Sequence, residues 1–258
     1  MVRSSLAFFL LISMNLIAQK VDFYPGNVFP AEPYGGKEEL SLFVKQRMVY
    51  PKEAREQEIE GKVSVQFKVN AKGQVSEKII SKSAHEILTA NAIELFDEIV
   101  WTKNEGTSAK AGNYNEVIFH YDLKKYKKAI RKRDYDELPY PKGEIDSSAQ
   151  FYNINQVDEK PKIANAKSVN GFVSKNFKYP SLALQRNISG RVSVEFIIEP
   201  YGLISNLRII KSVAGGCDEE TKRLVREMEW TPGKKDGKYV RTLYRYDLNF
   251  MHPGGSVR

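Results

Sequence analysis

Gly61-Lys62-Val63-Ser64-Val65-Gln66-Phe67-Lys68-Val69 puts an apolar side chain at every second position and a polar one between. A period of two marks a strand with one buried and one solvated face, as in an antiparallel sheet. The pattern returns 129 positions later as Gly190-Arg191-Val192-Ser193-Val194-Glu195-Phe196-Ile197-Ile198, except that Ile197 falls on the polar side. The outer face of this second strand is therefore expected to be less purely solvated.

Working outward, Asn70-Ala71-Lys72-Gly73 and Glu199-Pro200-Tyr201-Gly202 supply tight-turn chemistry, so each strand opens a hairpin. The return strands reach Lys82-Ser83 and Lys211-Ser212, and their alternation slips midway, as a bulge would make it. Leu88, Ala92, Leu95, Phe96 and Ile99, matched by Cys217, Thr221, Leu224, Val225 and Met228, then recur at helical spacing. Asp218, Glu219 and Glu220 suit the first turn of that helix, where the dipole favours carboxylates. Upstream, helical segments Glu38 to Arg47 and Ser168 to Phe177 end before Tyr50-Pro51 and Tyr179-Pro180. Downstream of Trp101 and Trp230, a last strand alternates Val117, Phe119, Tyr121, Leu123 in one copy and Thr242, Tyr244, Tyr246, Leu248 in the other.

From Phe43 to Trp101 and from Phe172 to Trp230 the two stretches align without a gap. A repeat this long is a duplicated domain. The expected fold class is α+β: two tandem units, each a three-stranded antiparallel sheet with two helices on one face. The expected boundaries are a signal peptide at 1–18, a first domain at 28–126, a basic, proline-containing linker at 127–153 and a second domain at 154–251. Domains of about 100 residues fold alone but have little room for a deep cavity.

Arg3, the apolar run Leu6 to Ile17 and the small Ala18 read as a cleavable export signal. Twelve residues are too few for a membrane-spanning helix, which needs about 20. The single cysteine, Cys217, excludes an intramolecular disulfide and, aligned with Leu88, reads as a small buried residue. His85, His120 and His252 stand far apart, with no helical His pair, nucleophile elbow or phosphate loop, so no catalytic residue, metal site or cofactor is assigned. Glu98 and Glu227, an aligned acidic pair, read as solvated helix residues. Lys124, Lys125, Lys127, Lys128, Arg131, Lys132 and Arg133 form a basic run expected to be solvated and extended or loosely helical. Its other reading is attraction to an anionic surface. With Pro139, Pro141 and Pro161 following, the domains are expected to move relative to each other. Nucleic acid is not an expected partner, because no recognition motif is present.

The order Tyr-Pro, Ala54 or Ala183, Gly, alternating valines, Gly hairpin, Lys-Ser and Trp resembles the carboxy-terminal domain of TonB in both copies. Pro33-Tyr34-Gly35-Gly36 and Val157-Asp158-Glu159-Lys160-Pro161 match upstream signatures of relatives. Trp101-Thr102-Lys103 departs from the proline that Trp230-Thr231-Pro232 keeps. The resemblance implies a non-enzymatic periplasmic module whose last strand receives an extended segment of an outer-membrane transporter or other envelope protein, in TonB-dependent transport. Edge strands also carry the option of pairing chain to chain in a homodimer. The implied contact residues are Tyr50, Pro51, Val117, Ile118, Phe119, His120 and Tyr121 in the first copy, and Tyr179, Pro180, Leu243, Tyr244, Arg245 and Tyr246 in the second. Energy transduction would need an uncleaved anchor and a long spacer. From Gln19 to Asn27 the chain spans about 30 Å fully extended, several times too short. An adaptor for envelope assembly or secretion is the third reading, since a fold does not dictate its ligand.

Overall fold

The computed structural model describes residues 20–26, 30–70, 72–103, 114–133 and 135–252. The expected signal peptide lies outside them. The first copy runs β1 (Val21–Tyr24), β2 (Ala31–Pro33), α1 (Gly36–Arg47), α2 (Lys52–Glu56), β3 (Gly61–Val69), β4 (Val75–Lys82), α3 (Glu86–Glu98), β5 (Trp101–Lys103), β6 (Asn115–Tyr121) and α4 (Leu123–Arg133). The second runs β7 (Phe151–Asn153), β8 (Lys162–Ile163), α5 (Val169–Asn176), α6 (Ser181–Gln185), β9 (Gly190–Ile198), β10 (Ile204–Lys211), α7 (Cys217–Arg226), β11 (Trp230–Thr231), β12 (Gly233–Lys235) and β13 (Lys238–Phe250).

The alternating stretches form the middle strands, β3 between β4 and β6, and β9 between β10 and β13. Val63, Val65, Phe67 and Val69 are buried, as are Val192, Val194, Phe196 and Ile198. Phe67 sits at the centre of an aromatic cluster, 4.4 Å from the Trp101 ring and 5.0 Å from Phe96. Its counterpart Phe196 lies 5.8 Å from Trp230 and 5.5 Å from Tyr244. Ser168 caps α5 by accepting the Gly171 N–H, and Pro51 and Pro180 precede the short helices α2 and α6, which the periodicity did not announce. Cys217 is buried, as expected. Glu98 and Glu227 are not free in solvent: Arg47 binds the first in two-point fashion and Arg223 the second.

Strand β1 lies ahead of the expected first domain, and helix α4 starts at Leu123, which was expected on the last strand, and crosses the expected domain end at residue 126; both belong to the core. Strand β1 adds antiparallel to the outer edge of β6, making a four-stranded sheet, and buries Phe23 beside Trp101 at 5.2 Å. Helix α4, expected as solvated linker, buries Leu123 and Tyr126 and packs Ile130 against the same cluster. These three at i, i+3 and i+7 make one apolar face, a pattern that the density of lysines concealed. Asn115 pins the chain between β1 and β2: buried, it accepts the N–H groups of Gly26 at 2.8 Å and Ala31 at 2.7 Å. Asn115→Ala is expected to cost about 3 kcal/mol in equilibrium unfolding, since buried donors lose their acceptor.

The two copies dock rather than swing. Helix α1 packs on β10, where Ile204, Ser205, Asn206 and Leu207 are all buried. Ile197, the residue out of phase in β9, is 1% exposed. Gly35, at φ 84°, approaches so closely that a Cβ there would stand 2.1 Å from the Leu207 carbonyl oxygen. Next to it, the Tyr34 hydroxyl donates to Glu195 at 2.6 Å, and the Arg208 guanidinium lies over the Tyr34 ring. Asn206 accepts the Val100 N–H, and Glu39 pairs with Arg226. At the centre Arg241, 3% exposed, bonds both oxygens of Glu199, 1% exposed, and donates to the Glu98 and Ala149 carbonyls at 2.8 Å. This junction replaces the freely moving pair expected from the linker.

Candidate functional site: the edges of the two sheets

The final strands differ in what lies beside them. In the first copy β1 pairs residue by residue with β6, from Val21 opposite Phe119 to Tyr24 opposite Glu116, and the His120 N–H donates to the Lys20 carbonyl. Val117, Phe119 and Tyr121 are buried. Ile118 lies opposite Asp22, and the His120 ring contacts the Asp22 carboxylate at 2.9 Å. Burial pulls the imidazole pKa down while Asp22 pulls it up, and the net displacement is downward. The expected receiving edge of the first copy is therefore taken by the chain's own amino-terminal strand.

In the second copy the corresponding side of β13 is covered only in part. Residues 238–240 pair with β12, and Arg241, Thr242 and Leu243 pair in parallel with Phe151, Tyr152 and Asn153 of β7. From Tyr244 to Phe250, β9 is the only strand beside β13 among the described residues. The register puts Tyr244–Phe250 where Asn115–Tyr121 stands in the first copy, since Gly190 faces Phe250 as Gly61 faces Tyr121, so β1 covers there the stretch that corresponds to residues 245–248. Seven residues then present a row of backbone groups on one side, the template that a strand from another chain completes.

The side chains along this row set its two faces. Tyr244, Tyr246, Leu248 and Phe250 point to the core side, where the Tyr244 ring stands 4.8 Å from Trp230. Burial raises the pKa of both tyrosines, which keeps them neutral hydrogen-bond donors. On the other face Arg245, with 57% of its side chain exposed, stands 3.8 Å from Glu195 and 3.9 Å from Asp247. An incoming strand meets half-buried aromatic rings on one side and a mixed-charge row on the other.

The Tyr-Pro pairs do not join this surface equally. Tyr50 is fully buried, its hydroxyl donating to the Ile59 carbonyl at 2.5 Å and its ring edge-on to Tyr121, so it offers nothing to a partner. Tyr179 is half-buried, donates to the Ile188 carbonyl at 2.6 Å and lies 5.8 Å from the Phe250 ring, at the end of the open row. Pro51 and Pro180 cap short helices. Sequence reasoning missed β1 and β7 as covering strands and ended the final strand at Leu248, two residues short of its end at Phe250. The run of β13 to Phe250 was readable in Leu248-Asn249-Phe250, which keeps the period of two.

Comparison with curated proteins gives no match. Among solved structures, the solution NMR structure of the Pseudomonas aeruginosa TonB CTD is 24% identical, with 42% of this chain and 99% of that chain covered at a TM-score of 0.30. The family model for the Gram-negative bacterial TonB protein C-terminal matches residues 46–123 and again 175–251. Those two segments make up more than half of the 258 residues and fall on the two copies derived above, and the chain belongs to this family.

Proposed function

We propose that this chain is a non-enzymatic periplasmic protein that takes up an extended segment of an outer-membrane transporter, or of another envelope protein, as an added strand on Tyr244–Phe250. The observation that carries this reading is the asymmetry of the edges: the first copy's is covered by β1, while seven residues of the second copy's have no second strand beside them among the described residues. One copy then receives the partner and the other braces it through the junction. Among the described residues no helix is long and apolar enough to cross a membrane. As units we propose residues 20–138 and 144–252, which assign β1 and α4 to the first copy and β7 to the second.

The test is site-specific photo-crosslinking in intact envelopes, with the reactive residue at Arg245 or Asp247 and, as control, at Glu116. Adducts to an outer-membrane transporter from the second-copy positions and none from Glu116 are expected. Adducts from Arg245 only to a second copy of this chain would assign the edge to a homodimer instead, and equal labelling from Glu116 would remove the asymmetry.

A further inference from the structure

Helix α4 carries a charge pattern that its own stability explains only in the last turn, where Arg131, Lys132 and Arg133 suit the helix dipole. Its inner face is fixed: Leu123 and Tyr126 are buried, the Tyr126 hydroxyl donates to Asp136 at 2.5 Å, and Arg133 reaches the Lys45, Gln46 and Met48 carbonyls. Its outer face presents Lys124, Lys127, Lys128, Arg131 and Lys132, all exposed and none in an ion pair among the described residues. Lys124 and Lys128, Lys127 and Arg131, and Lys128 and Lys132 are like charges at i, i+4, each pair destabilising. Lys124 also stands in the first turn, the end of the helix dipole that disfavours cations. Nothing acidic lies within the helix to offset this.

We propose that the outer face of α4 is a docking surface for an anionic phospholipid bilayer. Four of the five cations are lysines, point charges without the planar fork that arginine offers to a fixed carboxylate or phosphate. The face is a convex helix side with no exposed apolar residue in it, and protein interfaces are depleted in lysine and built on apolar anchors. A layer of mobile headgroups needs neither groove nor anchor. It needs clustered positive charge held rigidly outward, at about fivefold in partition per residue. The surface is separate from the β13 edge, so this proposal stands or falls independently of the strand-binding reading.

The experiment is flotation of the full chain, isolated from the envelope, with vesicles of phosphatidylethanolamine alone and of phosphatidylethanolamine with phosphatidylglycerol. Binding to the mixed vesicles only, lost as salt is raised, is expected. The variant Lys124→Gln/Lys127→Gln/Lys128→Gln/Lys132→Gln should lose about a hundredfold or more in partition, while the four-residue Lys→Arg variant retains it. Glutamine is a good helix former, so circular dichroism of the Gln variant should be unchanged. Undiminished flotation of a folded Gln variant, equal binding to the neutral vesicles, or preference for duplex DNA or polyglutamate over the anionic vesicles would each overturn the assignment.

Discussion

Arg241→Ala is expected to lower the stability of the chain by about 3–5 kcal/mol, the largest loss for any single polar side chain here. Both members of the Arg241–Glu199 pair are essentially out of water. Burial by itself disfavours the guanidinium charge, and Glu199 more than restores it, so the Arg241 pKa lies above its ordinary value. Truncating the arginine leaves the Glu199 carboxylate with the Ser205 hydroxyl as its remaining side-chain donor among the described residues. The cost reflects that stranded charge and not the net worth of the pair. Replacing both, as Arg241→Met with Glu199→Leu, should therefore recover most of the loss. Urea denaturation of the three variants decides the matter. A single-variant loss under about 1 kcal/mol would mean that water reaches Glu199 and that the junction is looser than its burial indicates.

The same variant bears on how the copies are joined. Arg241 also donates to the Glu98 and Ala149 carbonyls, so one side chain ties β13, the end of α3 and the connecting segment together. Loss of this tie should be felt first as proteolysis between the copies, in the stretch around Ala149.

What the sequence disclosed and what it hid follow one physical line. Elements that satisfy themselves locally were legible: the hairpins through Gly73 and Gly202, the amphipathic helices ending near Glu98 and Arg226, and the buried Cys217. Contacts made across the repeat were not. The one local trace of a covered outer face on the second sheet was Ile197, an apolar side chain where a wet one was expected, and its near-complete burial accounts for it. Gly35 and Arg241 left no such trace, because a close approach and a hydrogen bond from Arg241 to a carbonyl of the other copy have no periodicity. Strand β1 was hidden for a related reason: four residues alternate too briefly to register, and Phe23 is explained only once Trp101 is beside it. Of the candidate contacts, the alternation located both final strands but was silent on what lay beside them.

Proline scanning along the open row should separate strand addition from any other mode of binding. In an antiparallel pair, successive residues alternate between bonding the neighbour on one side and facing the other. Within Tyr244–Phe250 one parity therefore bonds β9 and the other turns its N–H to the open edge. Proline at an outward-facing position removes a donor that the free protein does not use, so the fold should survive. Capture of the partner segment should weaken by about 1–3 kcal/mol, or about ten- to a hundredfold, because a carbonyl of the added strand loses its donor at a buried ladder position. Proline at the intervening positions should instead break a bond to β9 and lower the melting temperature. The equivalent change at Ile118 should disturb only the pairing with β1 or β3 and leave capture intact in any variant that still folds. Wild-type capture by folded variants of both parities would rule out the β13 edge. Binding would then have to use side chains elsewhere, since no strand can add to that row without its N–H groups.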